Sequence, residues 1–130
     1  MFTRVPDLMD QAIQFRKIMS QPLGTFTPGT CKNQINLISE EYAELNEAFV
    51  EACTHIQNKR AREECLKELA DLVYVCFQFA AAAGWSLDEA LDRVHQSNMS
   101  KLVDGKPLKR EDGKVLKGPA YKPPYLSDLV

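Results

Sequence analysis

Ile38-Ser39-Glu40-Glu41-Tyr42-Ala43-Glu44 and, further along, Glu68-Leu69-Ala70-Asp71 decide how this chain is read. Both sit in apolar patterns of helical period, so carboxylates three or four residues apart stack on one helix face. Like charges at that spacing repel, and burying them ionised costs far more unless a cation compensates. The second motif runs directly into residues 72–83, the most apolar stretch of the protein. Two such faces turned toward each other would make a hard, oxygen-rich site suited to Mg²⁺ or Mn²⁺.

Working outward, strand signals are nearly absent and helical ones abundant. The periodicity predicts helix 1 over about 8–19, with Asp7 as N-cap and Leu8, Ala12, Phe15 and Met19 on one face. Pro22, Gly24, Pro28 and Gly29 mark a loop. Helix 2 is expected over about 30–55 with the stripe Ile35, Ile38, Tyr42, Leu45 and Phe49. Glu40, Glu41 and Glu44 fall within about 100° of arc beside that stripe. Helix 3, over about 59–83, ends at Gly84, a good C-terminal capping residue. On its wheel Glu68 and Asp71 are flanked by Cys65, Leu72 and Val75, whereas Glu63 and Lys67 look solvated. Helix 4 opens on Ser86-Leu87-Asp88-Glu89, a capping-box pattern, and reaches about residue 99. The turn-rich, hairpin-like tail carries Asp104-Gly105-Lys106-Pro107, Asp112-Gly113-Lys114 and Lys117-Gly118-Pro119.

Four helices with short connections make an all-α, antiparallel four-helix bundle the expected fold, with a basic tail over about 101–130. The 130 residues read as one domain, its helical core over about 7–100. Helix 3 is apolar almost all round from Leu69 to Ala83, so it should be buried on all sides, and a partner subunit is the natural cover. The residues Met1 to Asp7 lack the apolar run of a signal peptide, and no apolar run reaches the 17–25 residues of a membrane span. The expected setting is cytoplasmic, with no membrane association. Cys31, Cys53, Cys65 and Cys76 form no C-x-x-C pair and are expected to be reduced, buried thiols.

The net charge of −2 is unevenly distributed. From Lys101 to Lys122 seven basic residues face three acidic ones, giving +4 there and −6 elsewhere. An acidic body with a basic tail could hold both halves of a metal–polyphosphate complex, although a merely solvated tail has the same composition. Five carboxylates, Glu40, Glu41, Glu44, Glu68 and Asp71, could hold two or three hard cations with room for water. A carboxylate not fully used as ligand would be the general base. The fitting reaction is attack of water at phosphorus on a chelated substrate.

E-E-x-x-E, a gap of 23 residues and E-x-x-D on consecutive helices resemble the all-α nucleoside triphosphate pyrophosphatases, the MazG-like superfamily. That superfamily includes MazG, the dimeric dUTPases and the phosphoribosyl-ATP pyrophosphohydrolases. Asn98-Met99-Ser100-Lys101 looks like its N-x-x-K segment, and the tail resembles short MazG-like proteins of phages and bacteria, among them the MazZ-type enzymes acting on dGTP and GTP. The resemblance implies a Mg²⁺- or Mn²⁺-dependent hydrolase, with (d)NTP and water giving (d)NMP and pyrophosphate. Glu41, Glu44, Glu68 and Asp71 match typical metal ligands. The remaining glutamate ligates or acts as base, and spacing leaves open whether that is Glu40 or Glu41. Asn98 and Lys101 would meet phosphate or sugar, and Lys114, Lys117 and Tyr121 would close over the triphosphate. The resemblance also implies a homodimer or homotetramer. Base selection is expected from helix 1 and its loop, where Gln11, Gln14, Phe15, Phe26 and Lys32 are candidates.

Other readings compete. A related pyrophosphohydrolase acting on dUTP, dCTP or phosphoribosyl-ATP would share the motifs. A non-enzymatic helical interaction protein would explain the apolar helix and basic tail, but not Glu68 and Asp71. A ferritin-like di-iron protein needs E-x-x-H on two helices; the nearest approach is Asp92-x-x-His95 on one. Nucleic-acid binding finds no aromatic-basic alternation and an acidic body.

Overall fold

A computed structural model describes residues 7–130. The first six residues, read above for a signal sequence, lie outside the described part. The fold is all-α, with four α-helices and one two-residue-per-strand hairpin among the described residues. It divides into two compact units, residues 7–85 and 86–130, each described by itself.

In the first unit, Asp7 caps α1 (Leu8–Ile18) by accepting from the Asp10 amide at 3.1 Å. The buried face of α1 is Met9, Ala12 and Arg16, while Leu8 and Met19 are exposed. The expected face, centred on Leu8, Ala12, Phe15 and Met19, is therefore turned by one residue. The cause is Arg16, which fills the centre of the contact and leaves Phe15 at its flank, edge-on to Tyr74 at 5.7 Å.

The segment after α1 is fastened to the end of α3. Gly24 and Thr25 donate to the carbonyls of Ala81 and Ala82, both at 3.0 Å, and Phe26 stacks on Trp85. Gly84 ends α3 with φ +80°, and a Cβ there would lie 2.7 Å from the Gly24 carbonyl oxygen. Glycine is required at 84 both for its backbone conformation and for this close approach.

Thr27 caps α2 (Pro28–Thr54), accepting from the Thr30 amide, and Pro28 takes the first helical turn, where no N–H is needed. Residues 55–58 reverse the chain into α3 (Lys59–Ala83), capped by the Asn58 side chain. The two long helices pair as a helical hairpin, and α1 packs on α3. The face α2 turns inward runs Cys31, Gln34, Ile38, Glu41, Leu45 and Ala48, alternating spacings of three and four. Ile35, Tyr42 and Phe49, three residues of the expected stripe, are more than half exposed. A single neighbour covers only one narrow face, so the stripe splits between an inner seam and an outer apolar surface. On α3, residues 77–83 are buried apart from half-buried Phe79, whereas Leu69, Val73 and Tyr74 remain exposed. Burial on all sides thus holds only for its last two turns. Of the cysteines, all free, Cys31 is buried and Cys53 exposed, so the expectation of buried thiols fails at Cys53. No single helix among the described residues is long and apolar enough to cross a membrane.

In the second unit, α4 (Leu87–Met99) starts at Ser86, but the Ser86 side chain makes no capping bond. Asp88 accepts from the Glu89 amide, and the Glu89 carboxylate instead takes the Arg93 guanidinium at 3.0 Å, so the expected capping box does not form. Strands β1 (Leu108–Lys109) and β2 (Val115–Leu116) pair antiparallel, Leu108 opposite Leu116 and Lys109 opposite Val115. A final 3-10 turn, Ser127–Leu129, is clasped by Arg93, which binds both oxygens of Asp128 and the Tyr125 carbonyl.

Candidate active site

Because Glu41 falls on the inner seam of α2, its carboxylate meets α3. One oxygen each from Glu41, Glu44 and Glu68 lies within 4.8 Å of the others. Glu68 is deeply placed, its side chain only 14% exposed, while Glu44 reaches the cluster from the solvent side. Glu41 Oε2 and Glu68 Oε2 are buried without a hydrogen-bond partner. Buried acceptors are satisfied almost everywhere in folded proteins, so two orphans at one place mark a missing ligand or strain. Desolvation, followed by the adjoining Glu44 carboxylate, pushes the Glu41 acid above its ordinary range, and Asp71 and Glu68 add to the effect.

Asp71 stands one turn beyond Glu68 on the same face of α3. Lys67 bridges the two, donating to Asp71 at 2.8 Å and to Glu68 at 3.3 Å. Those bonds raise the Lys67 pKa well above the usual lysine range. The helical pattern puts Lys67 on the solvated side of α3. It is 60% exposed, and yet it is the cluster's internal counter-charge. The signal was its i,i+4 spacing to Asp71. Glu40, one residue before Glu41, is rotated about 100° off the seam, is exposed and does not join the gathered oxygens.

The donors are oxygens only, anionic, half-sheltered and short of partners. Such a set suits a hard divalent cation with waters retained. No histidine takes part, and both histidines lie outside the cluster, His55 paired with Glu51 and His95 exposed. The di-iron reading has no support in this donor set.

The other sequence candidates belong to the second unit. Asn98 is exposed at the end of α4, and its carbonyl accepts from the half-buried Lys101. Lys114 is exposed beside the hairpin. The Lys117 ammonium lies over the Tyr121 ring at 4.7 Å, a cation–π contact that joins two of the predicted tail residues.

The sequence matches the family profile of phosphoribosyl-ATP pyrophosphohydrolase over residues 7–98. The chain belongs to this family. No curated protein matches the chain significantly. The phosphoribosyl-ATP pyrophosphohydrolase family lies within the MazG-like all-α superfamily, and the chain accordingly carries a nucleotide pyrophosphohydrolase domain. The matched segment holds both acidic motifs and Asn98, and it stops short of Lys101, Lys114, Lys117 and Tyr121.

Proposed function

We propose that the chain is a Mg²⁺- or Mn²⁺-dependent nucleoside triphosphate pyrophosphohydrolase, converting (d)NTP and water to (d)NMP and pyrophosphate, with dGTP or GTP as preferred substrate. The observation that carries it is the meeting of two carboxylate-bearing helices with two buried, unpartnered oxygens between them. Glu41, Glu44, Glu68 and Asp71 would hold the cations, which supply charge neutralisation along the polyphosphate and a more acidic bound water. Water attacks the α-phosphorus, its proton passes to a carboxylate, and the bond to the β-phosphate oxygen breaks to release pyrophosphate. That proton would pass to Glu40 or Glu41, whichever carboxylate is not fully engaged as a ligand. Lys67 holds Asp71 and Glu68 side by side on α3. Asn98, Lys101, Lys114, Lys117 and Tyr121 contribute phosphate and sugar contacts.

The reading takes the chain as one catalytic domain acting as a homodimer or homotetramer. The exposed Ile35, Tyr42 and Phe49 of α2 and Leu66, Leu69 and Val73 of α3 support a partner subunit. A second substrate reading, phosphoribosyl-ATP, is favoured by the family description; it too is cleaved with release of pyrophosphate.

A panel of NTPs, dNTPs and phosphoribosyl-ATP, assayed for pyrophosphate with Mg²⁺ or Mn²⁺ in ¹⁸O-water, tests this. Pyrophosphate in one step with label in the monophosphate is expected. Stepwise diphosphate and inorganic phosphate would sink it, and cleavage of phosphoribosyl-ATP alone would move the substrate to the second reading.

A further inference from the structure

Two turns before Glu41 the same seam of α2 carries Gln34, and here a second unsatisfied group appears. Gln34 is 6% exposed, and its Oε1 is buried with no hydrogen-bond partner. It lines an open cleft of about 660 Å³ between the end of α1 and the first turns of α2, together with Arg16, Thr27, Asn33 and Leu37. Arg16, 1% exposed, belongs to none of the ion pairs of the described residues. Its guanidinium is steered instead by neutral acceptors: Nε donates to the Pro22 carbonyl at 2.6 Å and Nη1 to Gln78 Oε1 at 3.3 Å. Gln78 is itself fixed, its amide nitrogen donating to the Ala12 carbonyl. Burial holds the Arg16 pKa below its ordinary value. A buried guanidinium held by neutral acceptors and a buried acceptor without a donor line one cleft, and the orphaned acceptor is costly unless a ligand answers it.

Of the residues expected to read the base, Gln11, Gln14 and Phe15 line a different hollow, beside Ile18 and Tyr74, and Phe26 is stacked on Trp85. The cleft residues are others.

We propose that this cleft binds the nucleobase of the substrate, with Arg16 donating to a base carbonyl oxygen and Gln34 Oε1 accepting from the adjoining ring N–H. The assignment rests on the pyrophosphohydrolase reading of the acidic cluster. Seven residues of helix separate Gln34 from Glu41, about 10 Å along the axis. That is the span of a nucleotide from its α-phosphate to the far edge of its base. An uncompensated guanidinium favours the strongest neutral acceptor, an exocyclic carbonyl. The substrate class is therefore bases with a C=O beside an N–H: guanine and hypoxanthine, and, with the same edge, uracil and thymine. Adenine offers the guanidinium only a bare ring nitrogen, and the carbonyl of cytosine adjoins no ring N–H for Gln34 to accept. Sites built on buried polar groups discriminate because a mismatched base leaves those groups unpaired.

The experiment compares kcat/KM for dGTP, dITP, dUTP, dTTP, dATP, dCTP and 2-aminopurine deoxyriboside triphosphate in wild type and Gln34→Leu. Metal-free binding of GMP against AMP, followed by titration calorimetry, runs alongside. Wild type should favour the bases with a C=O beside a ring N–H over adenine and cytosine by at least about tenfold, the worth of one well-made hydrogen bond. Gln34→Leu should erase most of that ratio while melting no lower than wild type, because it removes an unpaired buried oxygen. Equal rates and equal GMP and AMP affinity in wild type would overturn the proposal. So would an unchanged ratio in Gln34→Leu, or a variant that melts lower, which would mark Gln34 as structural. Absence of any pyrophosphate release overturns the activity instead, and the GMP against AMP comparison still decides the cleft.

Discussion

Two charged constellations in this molecule use the same residue types to opposite ends. At Arg93 each carboxylate has a cationic partner: the guanidinium meets Glu89, both oxygens of Asp128 and a backbone carbonyl. Between α2 and α3 three carboxylates crowd together, two of their oxygens are orphaned, and the cation that reaches Glu68 and Asp71, Lys67, lies mostly in solvent. The clasp is complete as it stands and holds the Ser127–Leu129 turn in place. The cluster is incomplete without something positive. What separates structure from function here is not the presence of charge but whether the fold itself neutralises it.

The largest contrast should appear in activity. Glu44→Ala or Asp71→Ala should lower pyrophosphate release by more than about a hundredfold, exceeding the usual loss from an outer-shell partner of a metal. The helices should persist by circular dichroism, and the metal-free melting temperature should not fall. Arg93→Ala should leave turnover at the wild-type level. Retained activity in either cluster variant would dissolve the distinction.

Next comes ligand-linked stability. Saturating Mg²⁺ or Mn²⁺ at a hundred times its dissociation constant adds about 2.7 kcal/mol. In a chain of this size that raises the melting temperature by roughly 10 °C. Glu41→Gln and Glu68→Gln should lose the shift, and Asp128→Asn should keep it. An unshifted wild-type melt would remove the cation from the proposal.

A finer test uses pH, where the two regions have opposite signs. The raised Glu41 pKa means the folded metal-free protein holds a proton that the unfolded chain releases near 4.5. Stability should therefore fall as pH rises from that value through the raised one. Glu41→Gln should be more stable than wild type at pH 7, and the gain should vanish toward pH 4. Asp128 is the reverse: hydrogen bonds from Arg93 hold its pKa below 3.8, so its contribution is present above that value and disappears as pH falls through the lowered one. Asp128→Asn should be the less stable at pH 7 and equal to wild type in strong acid. Parallel pH profiles for both variants would show that the regions do not differ in kind.

The smallest expected effect belongs to the clasp. Arg93→Ala should speed hydrogen exchange at the Leu129 amide, which donates to the Leu126 carbonyl, with little change in the global melt, because the pairs are exposed and screened. Global unfolding from this change would make the clasp more than a local fastening.

Much of the fold was legible. Gly84 announced the end of α3, Asp7 the start of α1, and the two acidic motifs their shared helical period, because capping and periodicity are local properties of the chain. Ser86 misled for the same reason: a capping box was written in the sequence, but Arg93 took the glutamate it needed. The stripe of α2 misled more instructively. Ile35, Tyr42 and Phe49 are apolar, as are Ile38 and Leu45, so composition cannot say which edge of a broad apolar arc the neighbouring helix takes.

By itself the sequence determined that carboxylates stand at one-turn spacing on two helices, that those helices are long and capped, and that the tail is basic. These follow from residue type and the helical repeat. Only the tertiary structure decided that Glu41 enters the seam while Glu40 does not, that Lys67 spans Glu68 and Asp71, and that Arg16 and Gln34 line one cleft. Those facts depend on how α2 and α1 are rotated against α3. That rotation is set by packing among residues distant in sequence, which no local pattern encodes.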